Sequence, residues 1–103
     1  MKVIVTAAAE ADLRQIGDWI ARDNQARAIT FTQELRERCK RLVDAPKGFP
    51  LLPRHEQAGI RRRAYRGYLI LYRIRGDEIQ ILHVVHGARD YERLLSPDEE
   101  PPS

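Results

Sequence analysis

Seven arginines fall between positions 54 and 75 (54, 61, 62, 63, 66, 73 and 75) against the single acid Glu56, so this stretch carries a local charge of +6 in a chain of net charge +3. A guanidinium is a planar fork of donors that fits carboxylates and phosphates better than a flexible ammonium does. On a strand, Arg61, Arg62 and Arg63 alternate faces, so at most two of them share a surface. One reading is a charged edge strand kept from pairing with other chains. The other is a contact surface for phosphates or for an acidic protein segment, enlarged by Arg73 and Arg75 on the neighbouring strand.

A second polar cluster follows at His83, His86, Arg89, Asp90 and Tyr91. His83 and His86 are three apart on a strand and point to opposite faces, which argues against a shared metal site. Flanked by Leu82 and Val84, His83 reads as a core or helix-facing residue. His86 stands before Gly87 at the strand end, where it can meet solvent or a ligand, and its pKa suits acid–base work. Asp90 reads as a cap or an arginine partner, and Tyr91, like Tyr65, Tyr68 and Tyr72, as a ring packed on the sheet.

Cutting RNA through its 2′-hydroxyl needs a base, an acid and cations around the phosphorane. Arg61, Arg63 and Arg73 could supply the cations, and His86 or Tyr91 the acid. No base stands out, because His55 and Glu56 lie in a loop whose place the sequence does not give. The chain has no glycine-rich phosphate loop, Walker pattern, nucleophile elbow or cysteine–histidine ligand set. Its single cysteine, Cys39, falls in a helical pattern as a small half-buried residue. Neither a metal nor a cofactor is expected.

The elements that must hold these residues follow from periodicity. Lys2 to Thr6 reads as a short strand, with Val3, Ile4 and Val5 β-branched. Thr6 is an N-cap for a helix from Ala7 to Arg22, whose stripe is Ala9, Leu13, Ile16 and Ile20. Asn24 ends that helix or caps the next, from Gln25 to Asp44, where Ala28, Phe31, Leu35, Cys39 and Leu42 repeat the spacing. So short a link makes an antiparallel helical hairpin. Three prolines and a glycine between Asp44 and Pro53 force a loop. Strands are expected at Ile60–Arg66, Tyr68–Arg75 and Glu78–Val85, with turns at Gly67 and Gly76-Asp77, and two helical turns over Ala88–Leu95. The result is an α+β fold in the order β-α-α-β-β-β, with the hairpin on one face of a mostly antiparallel sheet and the other face open.

At 103 residues the chain fits one domain, read as residues 1–96 with a disordered tail over 97–103. No apolar run is long enough for a membrane span or a signal peptide, so a cytoplasmic location is expected.

Two sets of residues resemble the ParE branch of the RelE/ParE superfamily, the toxins of bacterial type II toxin–antitoxin modules. The helical set is Ala9, Asp12, Leu13 and Ile16, then Ala26, Ala28, Phe31 and Leu35, then Leu42 and Pro46. The sheet set is Arg62, Arg63, Tyr68-Leu69-Ile70, Tyr72-Arg73, Ile79, Ile81 and Val84, ending in His86-Gly87-Ala88-Arg89-Asp90. The resemblance spans about residues 3–95, and the sheet set is the more specific. It implies a RelE/ParE-like fold and a plasmid-stabilisation type of toxin, neutralised by a cognate antitoxin in a hetero-oligomer. ParE-like members poison DNA gyrase without catalysis, and that target is the one favoured here. RelE-like members cut messenger RNA on the ribosome; on that alternative His86, Tyr91, Arg63 and Arg73 would be the catalytic set. The antitoxin- or target-binding residues implied are Arg61, Arg63, Arg73, Arg75, His86, Arg89, Asp90 and Tyr91. A third possibility is a non-toxic basic module that binds nucleic acid through the same sheet face.

Overall fold

Thr6 and Asn24 open the two helices. The β-branched run forms β1 (Lys2–Val5), and the Thr6 Oγ1 then accepts the Ala9 N–H at 3.2 Å as the N-cap of α1 (Ala7–Ala21). The same hydroxyl donates to the Ile81 carbonyl at 2.7 Å, fixing the strand-to-helix corner on the sheet. The Asn24 Oδ1 accepts the Arg27 N–H at 2.9 Å and starts α2 (Gln25–Lys40). The stripes Ala9, Leu13 and Ile16 on α1 and Ala28, Phe31, Leu35 and Cys39 on α2 are buried, as the spacing predicts. Arg36 clamps Glu10 across the hairpin through bonds of 2.7 and 3.0 Å. The second helix tightens after Lys40 into a 3-10 turn at Arg41–Asp44.

This computed structural model describes residues 1–87 and 91–95. The remaining strands are β2 (Arg61–Tyr65), β3 (Tyr68–Arg75) and β4 (Glu78–His86). Their order is β1-β4-β3-β2, with β1 parallel to β4 and the other pairs antiparallel. Arg66 and Gly67 both have positive φ, 47° and 86°, the backbone of a two-residue hairpin turn with the hand that matches strand twist. The turn therefore takes in Arg66 as well as the expected Gly67.

Residues that pair across strands share a face. Tyr68, Ile70, Tyr72 and Ile74 of β3 thus meet the helices, together with Ile79, Ile81 and Val84 of β4. The alternation on β4 breaks once. Leu71 pairs with His83 and Tyr72 with Ile81, so Leu82 has no partner and forms a β-bulge.

The second face of the sheet is not open. Leu71 and Val85 are buried there under Leu52 and Ile60, with Leu69, Leu82, Tyr91, Leu94 and Leu95 packed around them. The proline-rich loop supplies this cover by running along the outer edge of β2. Leu52 N–H donates to Ile60 O at 2.8 Å and Arg62 N–H to Pro50 O at 3.0 Å, while the Tyr72 hydroxyl holds Pro46 O at 2.7 Å. The expectation of an uncovered face fails because apolar side chains on β3 and β4 face both ways, and the loop brings Leu52 to the second set. Over Ala88–Leu95 the described part is a single 3-10 turn, Tyr91–Arg93. Residues 88–90 and the expected tail over 97–103 lie outside the described residues. Among the described residues no helix is long and apolar enough to cross a membrane.

Candidate functional site: a divided basic surface and a cleft on the second sheet face

Pairing register sorts the arginines. Arg61 opposes Tyr72 and Arg63 opposes Ile70, which puts both on the helix side of the sheet at its β2 edge. The Arg61 Nη1 donates to Phe49 O at 2.7 Å. Arg63 lies 4.8 Å over the Phe49 ring and donates to the Arg38 carbonyl at 3.2 Å, near the end of α2. Burial, and then the neighbouring Arg38 and Arg41, push the Arg63 pKa down. A cationic ridge thus runs from the C-terminal turn of α2, where the helix dipole favours positive charge, to the β2 edge. Tyr65 ties the ridge to the helix: its hydroxyl donates to the Glu34 Oε1 at 2.6 Å, and Arg38 sits 4.5 Å over its ring. The Arg27 guanidinium and then the Tyr65 hydroxyl hold the Glu34 carboxyl down at about 2.

Arg73 and Arg75 stand on the opposite face, so the expectation that they enlarge the Arg61–Arg63 patch is corrected. Arg61 faces Tyr72 across the ladder, and the next residue of β3 must look the other way. Arg73 is half-buried, and its Nε donates to Gln80 Oε1 at 2.9 Å. Burial, with Arg75 nearby, lowers its pKa. Arg75 is exposed.

Arg73 lines a cleft of about 930 Å³ between the 54–58 loop, the bulge of β4 and the Glu92–Leu95 segment. His55, unplaced by sequence, sits in this cleft and bonds through Nε2 to the Glu92 Oε1 at 3.0 Å. His83 lines it too. The residue pairs with Leu71 and so belongs to the second face, yet its Nδ1 meets the Asp12 Oδ2 of α1 at 2.9 Å. The helix-facing reading of His83 holds for its partner and not for its face.

His86 stays on the helix side, its ring edge-on to Tyr68 at 5.3 Å. Gly87 has a steric reason to follow it. Its N–H donates to Gly67 O at 2.7 Å, and a Cβ at position 87 would stand 3.1 Å from that oxygen. Tyr91 packs its ring on the second apolar cluster, as expected of a sheet-packing aromatic. Arg89 and Asp90 lie outside the described residues.

The residues named for RNA cleavage are therefore divided. Arg63 and His86 are on the helix side, Arg73 and Tyr91 on the other. His55 was weighed as a base but left unplaced, and Glu92 and Asp12 were missed as members of a site; sequence carries no local signal for their placement, since each meets its partner across the fold. Among the described residues, no group of three or more His, Cys, Asp or Glu is placed to hold a metal ion.

Comparison with known proteins bears on the whole domain. No curated protein matches the chain. Among solved structures, the chain is similar to one described as a chromosomal ParDE toxin–antitoxin system from P. aeruginosa, with 27% identity, 84% of this chain and 95% of that one covered, and a TM-score of 0.71. It is also similar to a chain of the RelBE2 toxin–antitoxin complex from Mycobacterium tuberculosis, at 27% identity, with 82% and 95% covered and a TM-score of 0.53. The model of the ParE toxin of the type II toxin–antitoxin system parDE matches residues 3–91. With the β-α-α-β-β-β order and this match over most of its length, the chain belongs to the ParE toxin family of type II toxin–antitoxin systems.

Proposed function

We propose that this ParE-type toxin is neutralised by a cognate antitoxin and acts by binding DNA gyrase, without catalysis of its own. The observation that carries the reading is the division of the would-be ribonuclease residues. A general acid must lie within hydrogen-bond reach of the atom it protonates, with the charge-stabilising cations at the same phosphate. Here the sheet itself stands between Arg63 with His86 and Arg73 with Tyr91. Separate faces suit a binder that engages one partner with the ridge at β2 and another surface elsewhere. The similar solved structures are described as toxin–antitoxin assemblies, which supports an antitoxin partner and a hetero-oligomer. On the helical hairpin, Trp19, 64% exposed beneath Arg22, and Ile29, 60% exposed, are large apolar groups available to that partner. On this reading the ridge residues Arg61 and Arg63 meet the antitoxin or target, as do His86, Arg89 and Asp90. Arg73, Arg75 and Tyr91 serve the second face. On this reading the protein works in the cytoplasm, where gyrase acts, as the toxin of a plasmid-stabilisation type of module.

The test adds the purified chain, free of antitoxin, to gyrase supercoiling with ATP and in parallel to a translating ribosome extract with a labelled message. Blocked supercoiling or trapped cleaved DNA with an intact message is expected. Codon-phased cuts in the message with normal supercoiling would overturn the reading in favour of the ribosome-dependent nuclease.

A further inference from the structure

We propose that the cleft on the second sheet face is a binding site for a phosphate ester, with Arg73 as its anchor. The inference does not depend on gyrase being the target.

Arg73 is half-buried, and its one hydrogen bond uses Nε, on the neutral amide oxygen of Gln80. Its two terminal nitrogens have no partner among the described residues, and no carboxylate there pairs with it. A guanidinium drawn partly out of water without an anion is costly, and an arriving anion would remove that cost. The terminal pair of donors is also the part of the fork that grips two oxygens of one phosphate.

The rest of the cleft suits the same ligand. His55 and His83 both line it. Each ring is held by a carboxylate through one nitrogen, Nε2 to Glu92 for His55 and Nδ1 to Asp12 for His83. The other nitrogen of each ring has no partner among the described residues. A neutral imidazole there accepts from a phosphate hydroxyl, and a protonated one donates to a phosphate oxygen. Arg54 adds a cation at the rim. Two acids also line the cleft. Glu92 is engaged by His55, whereas Glu56 is exposed and would repel an anion at long range. The volume of about 930 Å³ is far larger than phosphate needs, and Ile60, Leu82, Leu94 and Leu95 give it an apolar wall. Such a wall suits the organic part of an ester. A free nucleotide and a single polynucleotide strand share this chemistry.

The test is a titration of the 15N-labelled full chain followed by NMR, at constant ionic strength set with sodium chloride. The probes are inorganic phosphate, adenosine monophosphate, and single-stranded DNA and RNA oligonucleotides. Saturable shifts at Arg73, His55 and His83 are expected, with the nucleotide binding more tightly than phosphate. Arg73→Gln should weaken binding by about tenfold or more, as befits loss of a charge-assisted pair of bonds. Arg62→Gln, exposed on the same face outside the cleft, should leave it unchanged. An oligonucleotide that binds far more tightly than the mononucleotide marks a strand groove, and equal binding marks a nucleotide pocket; both support a phosphate site. Absence of saturable shifts in the cleft, equal binding by the two variants, or equal competition from acetate would overturn it. Should Arg73→Gln lose its native spectrum, Arg73→Lys keeps the charge without the fork; undiminished phosphate binding in that variant also overturns the proposal.

Discussion

The Oδ2 of Asp12 on α1 stands 2.9 Å from the Nδ1 of His83 on β4, and the same oxygen accepts the Val84 N–H at 2.9 Å. β1 pairs with β4 only as far as Ile81, so beyond it this edge of β4 has no strand beside it. The helix carboxylate takes over where the strand stops. Asp12→Ala leaves a buried backbone donor and an imidazole without their acceptor, and should lower stability by about 1–3 kcal/mol. Hydrogen exchange at Val84 should accelerate in the variant beyond what the global loss explains; unchanged protection there would show that the bond contributes nothing.

Glu34 gives an acid dependence with a defined sign. Arg27 and Tyr65 lower its pKa from 4.5 in the free group to about 2 in the fold. Its contribution is thus complete above pH 4.5 and is lost as pH falls through about 2. Thermal melts of the native chain and Glu34→Gln should differ at pH 7 and converge toward pH 2. A constant gap across that range would contradict the assignment.

Cys39 should be inert in the folded protein. Burial among the core residues of α2 raises its thiol pKa to about 11, so almost no thiolate exists at pH 8. A disulfide reagent such as DTNB should react at the rate of unfolding in native buffer and immediately in denaturant. Rapid reaction under native conditions would mean that the helix opens locally.

Arg63 and Arg73, both half-buried, should behave differently. Arg63→Ala removes a ring contact with Phe49 and a bond to the α2 carbonyl, a loss of about 0.5–1 kcal/mol for the cation–π part. Arg73→Ala removes a desolvated cation close to Arg75, and its melting temperature should match or slightly exceed that of the native chain. The double variant should still fold, which circular dichroism checks directly; loss of the fold would remove both residues from any account of a functional surface.

Much of the architecture was legible in the sequence because it rests on local rules. The stripes on α1 and α2 and the caps Thr6 and Asn24 are signals within a few residues of one another. So is the Gly76-Asp77 turn between β3 and β4. Less legible was anything decided across the fold. The arginines carry no mark of the face they occupy until Arg61 is paired with Tyr72. Leu52 looks like one more loop leucine until it is buried against Leu71 and Val85. His55 and Glu92, 37 residues apart, reveal nothing to each other in a linear reading.

The unpaired Leu82 has one further consequence. It acts as a half-period phase slip, dividing β4 into two halves that are each regular but out of step. Before it, odd-numbered residues meet the helices, as at Ile79 and Ile81; after it, even-numbered ones do, as at Val84 and His86. A relative lacking one residue here must either straighten the strand or present Val85 to the helices and turn the histidine at the strand end to the opposite side. The bulge is thus what lets Ile81 and Val84, three positions apart, face the same helices while the adjacent Leu82 and His83 both line the cleft on the second face.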